Sequence, residues 1–158
     1  MHSEYIVKKA NELIQECGER NPYYAAEQNG AILKYKDLGT LKGAYFGNMK
    51  VPVIVINSEL DENTQKTVCA HELGHHILHK GQMLSCDTAD LQSASILERE
   101  ANIFASAFLI DAEKALGLLS VGNTIEQVSA IMGISKELLL FLLSTLKLTE
   151  APDSTFLK

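Results

Sequence analysis

The sequence predicts an α+β domain, a small three-stranded antiparallel sheet packed on a mainly helical body. Three observations carry that expectation. Apolar residues before position 29 and after position 91 recur at helical spacing. Between them lie three short β-prone runs, separated by the turn formers Asp37-Leu38-Gly39 and Gly47-Asn48. After the third run, His71-Glu72-Leu73-Gly74-His75 sits inside an apolar stretch long enough for a central helix. At 158 residues the chain can bury a core. One domain is expected over residues 1–148, including a C-terminal helical pair at 123–148, with 149–158 as a flexible tail.

Taken in order, Ser3 is placed to cap a first helix, along which Tyr5, Ile6, Leu13, Ile14 and Cys17 follow at helical spacing until Gly18 ends it. Asn21-Pro22 opens a short helix closed by Asn29-Gly30. Both are expected to be packing helices. Runs 31–35, 41–46 and 51–56 form the sheet as a meander. The last is almost wholly apolar, so it should be the inner strand, with Pro52 at its start where a missing N–H costs no ladder bond. Residues 57–61 offer N-caps for a helix running from Asp61 or Glu62 to Lys80, with Gly81 as its stop. Residues 82–90 are polar and broken, and residues 91–116 read as one long helix. Thr124-Ile125-Glu126-Gln127 is a capping box, Gly133 breaks the helix it opens, and Ser135 caps a final apolar helix over 136–146.

Composition limits the partners. A net charge of −6 counts against a general nucleic-acid binder, and no apolar run approaches the roughly 18–20 residues that span a bilayer. The last helical pair has a helix-turn-helix cadence. Its second helix, however, reads Lys136-Glu137-Leu138-Leu139-Leu140-Phe141, too apolar to offer side chains to base edges. Packing against the core or a partner is expected instead, with no direct nucleic-acid partner and no membrane. The opening residues lack the basic-then-apolar order of a leader peptide, and three scattered cysteines suggest free thiols. A cytoplasmic protein is expected.

The chemistry is concentrated at His71-Glu72-x-x-His75. Histidines four apart share one helix face, so both imidazoles can reach one ion, and Glu72 lies at the edge of that face, where it can take a proton from metal-bound water. This is the spacing of a zinc-protease helix. Two histidines do not hold zinc tightly, so a third ligand is needed. A third histidine six residues beyond the motif is ruled out, because position 78 is Leu where Gly is required and position 81 is Gly where His is required. A glutamate from a second helix remains, and Glu98 and Glu100 are the candidates. Glu98 is preferred: one turn on, Ala101, Asn102 and Ala105 allow close helix approach, and Asn102 can support a ligating imidazole through its other nitrogen. Glu100 is rotated about 200° away and is read as part of a solvated acidic face. His79 is read as a surface histidine rather than a fourth ligand, His76 as structural and Cys69 as a small buried hydrophobe. Cys86 in the loop is a remote candidate for an inhibitory contact. Tyr35 and Tyr45 are conceivable oxyanion donors, with packing or substrate-edge roles favoured.

His71-Glu72-Leu73-Gly74-His75, the following Leu78-His79, and Glu98-Arg99-Glu100-Ala101-Asn102-Ile103-Phe104-Ala105 together resemble the ImmA/IrrE family of metallopeptidases. The likeness covers residues 22–110, with looser agreement to 146. It implies a zincin-like, gluzincin-type site with one zinc ion on His71, His75 and Glu98 and with Glu72 as base. It also implies a protein substrate, a helix-turn-helix repressor of a phage or mobile element. Leu109-Ile110-Asp111 stands where many members read an apolar pair followed by Met-Pro. The expected activity is zinc-dependent peptide hydrolysis, with an extended substrate paired along Gly43, Ala44 and Tyr45. The rival is a non-catalytic zinc-containing regulator that sequesters the repressor.

Overall fold

The structure is a computed structural model that describes residues 1–81 and 91–146. The helices are α1 (Ser3–Cys17), α2 (Pro22–Gln28), α3 (Glu62–Leu78), α4 (Leu91–Leu109), α5 (Ala112–Ser120), α6 (Ile125–Met132) and α7 (Lys136–Thr145). The strands are β1 (Ile32–Lys36), β2 (Gly43–Phe46) and β3 (Val53–Asn57). The expected α+β class holds. The loop 82–90 with Cys86, and the expected tail 149–158, lie outside the described residues.

The sheet differs from the expected antiparallel meander. Its order is β1-β3-β2, with β2 antiparallel and β1 parallel to β3. The cause lies in the apolar third run, whose Ile54 and Ile56 are fully buried. That strand takes the centre, as its composition suggests. The chain reverses from β1 to β2 and again from β2 to β3, so β1 and β3 run the same way, and a central β3 must pair with β1 in parallel. Pro52 lies just before β3, where its carbonyl accepts from Ile32 N at 2.9 Å.

Asn57, buried at the end of β3, ties down the segment that enters β2. Its Nδ2 donates to the carbonyls of Gly39 (3.2 Å) and Leu41 (2.8 Å), and its Oδ1 accepts from Glu59 N at 3.0 Å. Its backbone N–H donates to Lys42 O at 2.9 Å. These bonds hold Lys42 and Gly43 beside α3. Asp61 caps α3 through Thr64 N at 3.0 Å. The helix ends at Leu78 rather than Lys80, and Gly81 follows with φ 80°.

The long helix expected over 91–116 is two helices. Arg20 Nη1 donates to the carbonyls of Ala107 and Phe108, both at 3.0 Å, which satisfies the end of α4. Asp111 then caps α5 by accepting from Lys114 N at 3.1 Å. At the N-terminus, Ser3 is the first helical residue; the capping position is His2, which makes no side-chain cap bond. The capping box at Thr124 and Gln127 forms as read, and Ser135 caps α7 through Leu138 N at 3.2 Å. The N–H of Ser135 donates to Thr67 Oγ1 at 3.1 Å, which fastens the start of α7 to α3. Leu138, Leu139 and Leu142 of α7 are buried, so this helix is packed. Among the described residues no single helix is long and apolar enough to cross a membrane.

Candidate active site

The site is built where α3 crosses α4. At Gly74 an added Cβ would lie 3.2 Å from Ala101 Cα, Ala101 O and Phe104 Cβ, so two small residues set the closeness of the helices. Phe104 and Phe108, stacked with ring centroids 6.0 Å apart, fill the interface beyond them. At this separation a side chain on α4 reaches both histidines of α3. Glu98 Oε2 lies 3.0 Å from His71 Nε2, Glu98 Oε1 lies 3.0 Å from His75 Nε2, and the two Nε2 atoms are 3.2 Å apart.

These separations suit one ion. Ligand atoms on a tetrahedral metal, each about 2.0–2.1 Å from it, lie about 3.3 Å apart. The donor set suits it too: two imidazole nitrogens and a carboxylate oxygen that all lie within 4.8 Å of one another. Asn102 Oδ1 is 2.8 Å from His71 Nδ1. An amide oxygen only accepts, so Nδ1 carries the proton and Nε2 is left to ligate.

The electrostatics divide the two rings. Burial works against charge on His71, but Glu98, Glu72 and Asn102 together raise its pKa. Burial dominates at His75 and lowers its pKa, although it touches the same carboxylate. The neighbouring His71 adds to the lowering at His75. His71 and His75, both against the Glu98 carboxyl, hold it far below the usual carboxylate range. Its side chain remains half-exposed, open to the cleft.

Glu72 is 7% exposed, and burial pushes its carboxyl up to about 7, against the lowering influence of His71. It lines a cleft of about 660 Å³ together with His71, Glu98, Gly43, Leu138 and Phe141. A Cβ at Gly43 would stand 2.5 Å from Val68 Cγ1 and 3.1 Å from Glu72 Oε1, so only a glycine lets β2 pass this close to the carboxyl. A separate groove of about 760 Å³, lined by Val7, Asn11, Arg99 and Ile103 among others, contains none of these candidate residues.

Of the expected substrate edge, Gly43 lines the cleft, and β2 is an edge strand of the sheet. Tyr45 turns its side chain into the core, where its hydroxyl donates to His76 Nδ1 at 3.1 Å while His76 Nε2 donates to Asn29 O at 2.8 Å. That side chain cannot reach an oxyanion in the cleft. Tyr35 is exposed on β1, at the opposite edge of the sheet.

Two sequence readings are corrected. His79 is not a surface histidine and Glu100 is not part of a solvated face: they are 3% and 5% exposed. They bond each other, His79 Nε2 to Glu100 Oε2, at 2.8 Å. Glu100 also pairs with the α-amino group of Met1. The local signal for a buried His79 is the spacing of His71, His75 and His79, each one turn beyond the last on a central helix. Phe141 and Leu138 also line the cleft, so α7 forms part of its wall as well as packing.

Two histidines one turn apart, an adjacent buried carboxyl and a carboxylate from a crossing helix are the side-chain set of a metal-dependent hydrolase. The chain belongs to the peptidase M78 family: the family model, described as an IrrE N-terminal-like domain, matches residues 26–144. It is 29% identical over 136 residues to immunity region protein 2 of Bacillus phage phi105, covering 84% of this chain and 86% of the relative. It is 27% identical over 139 residues to the metallopeptidase ImmA of Bacillus subtilis (strain 168), covering 85% and 75%. The match runs on through α5, α6 and α7, beyond the two motifs.

Proposed function

We propose that the chain is a zinc-dependent endopeptidase acting in the cytoplasm on a protein substrate, a helix-turn-helix repressor of a phage or mobile element. The observation that carries this reading is the convergence of His71, His75 and Glu98 beside the buried carboxyl of Glu72. A zinc ion held by those three side chains would polarise the scissile carbonyl and acidify a water molecule. Glu72, in the lining of the same cleft, would accept a proton from the attacking water and later deliver it to the leaving amine. A group that must gain and lose a proton near neutrality works best with a pKa in that range, and burial supplies the upward shift. The substrate backbone extends along β2, which Gly43 admits close to Glu72. Glu98, which would hold the ion with the two histidines, is half-exposed to the cleft through which the substrate would enter.

The choice of a repressor rests on the family likeness and on the phage relative, which is named for an immunity region. The test is a purified cleavage assay with the helix-turn-helix protein encoded nearest this gene. Glu72→Gln is expected to retain zinc and lose cleavage by about 10²–10⁴-fold. Unchanged cleavage by that variant would overturn the mechanism. De-repression that survives in Glu72→Gln but not in His71→Ala would identify a sequestering regulator instead.

A further inference from the structure

Behind the cleft, a second row of contacts leads away from His75. Its Nδ1 lies 3.0 Å from His79 Nδ1, and His79 Nε2 lies 2.8 Å from Glu100 Oε2. All three residues are buried. Two facing ring nitrogens bond only when one carries the proton and the other a lone pair. The two ends of the row decide which is which. At the inner end a carboxylate accepts and does not donate, so His79 carries a proton on Nε2. At the cleft end His75 Nε2 faces the converged donor atoms and must offer a lone pair to a metal, which leaves the ring's proton on Nδ1. With that proton on His75, the row has one direction of donation: His75 Nδ1–H to His79, then His79 Nε2–H to Glu100.

We propose that His79 and Glu100 are positioning residues of the metal site, a buried hydrogen-bonded row that fixes His75 in the tautomer whose Nε2 can ligate. This rests on the metal-site reading above. The two histidines of the motif are thus steadied by different means. His71 leans on a neutral amide from α4, whereas His75 is backed by a second imidazole and a carboxylate. The row also accounts for two buried polar side chains that peptide hydrolysis itself does not use. Glu100 is well suited to the inner end, because it is held there by a second contact, to the α-amino group of Met1.

The test is zinc affinity of the purified chain, measured by competition with a chromophoric chelator. His79→Phe, which keeps a ring but no acceptor, is expected to bind zinc about 10–100-fold more weakly than the parent. His79→Gln, whose amide can accept from His75 and donate to Glu100, is expected to recover most of that loss. Equal affinity of the parent and His79→Phe would overturn the proposal, and so would a Gln variant no better than the Phe variant. A parent that binds zinc no better than His71→Ala would instead remove the metal site itself, and the proposal with it. Should His79→Phe not fold, nitrogen-15 spectra of the zinc-loaded parent decide: a neutral His79 protonated at Nε2 is expected, and a proton on Nδ1 overturns the assignment.

Discussion

The floor of the cleft and its walls are built differently. The floor is two crossing helices, α3 and α4, with His71 and His75 one turn apart on the first and Glu98 on the second. Their spacing is set by Gly74 against Ala101. The walls come from distant parts of the chain: β2, held by Asn57 through the carbonyls of Gly39 and Leu41, and α7, fastened by Ser135 to Thr67. The floor holds the groups proposed to do the chemistry, and the walls would shape what can approach them. The two sets of side chains scarcely overlap, so substitutions in them should separate turnover and metal binding from substrate recognition.

The sharpest break is the Glu72→Gln variant, whose expected loss of cleavage leaves the walls intact. The same variant tests the floor in another way. Glu72 has a folded-state pKa near 7, above its usual value of 4.5, so its favourable contribution is present below pH 4.5 and is lost as pH rises through 7. The metal-free Glu72→Gln protein is therefore expected to be more stable than the parent by roughly 3 kcal/mol at pH 8, with the difference gone by pH 4. Denaturant unfolding at the two pH values measures it. Gly74→Val wedges α3 from α4 and should cost about 1–3 kcal/mol by the same measurement, while weakening zinc binding because Glu98 moves away from the histidines. Phe141→Ala, in the wall, is expected to raise KM about tenfold with little change in kcat. A fall in kcat of similar size would mean that wall and floor are not separable.

The floor was largely legible in the sequence because its information is local. Histidines four apart share a face whatever the fold, and small residues one turn beyond Glu98 mark a close crossing. Asn102 followed from the same spacing. The parallel pairing of β1 was not legible, because pairing depends on which strand takes the centre, a choice among distant segments. The break at Ile110 had a local signal in Asp111 as an N-cap, but the apolar periodicity continued past it, and the other half of its cause, Arg20, is remote in sequence. His79 and Glu100 were misread because side chains of their type are usually solvated. Their burial becomes visible only when they are seen to bond each other and when the N-terminal segment is seen to reach Glu100.

Gly43 gives the cleft a gauge. The clearance between the strand and the Glu72 carboxyl is narrower than one methyl group, and the natural residue is the one that adds nothing there. Alanine there would be a permanent occupant, displacing Val68 and crowding the Glu72 oxygen before any peptide arrived. It would test whether a protease can be blocked by a single carbon atom added to its own backbone.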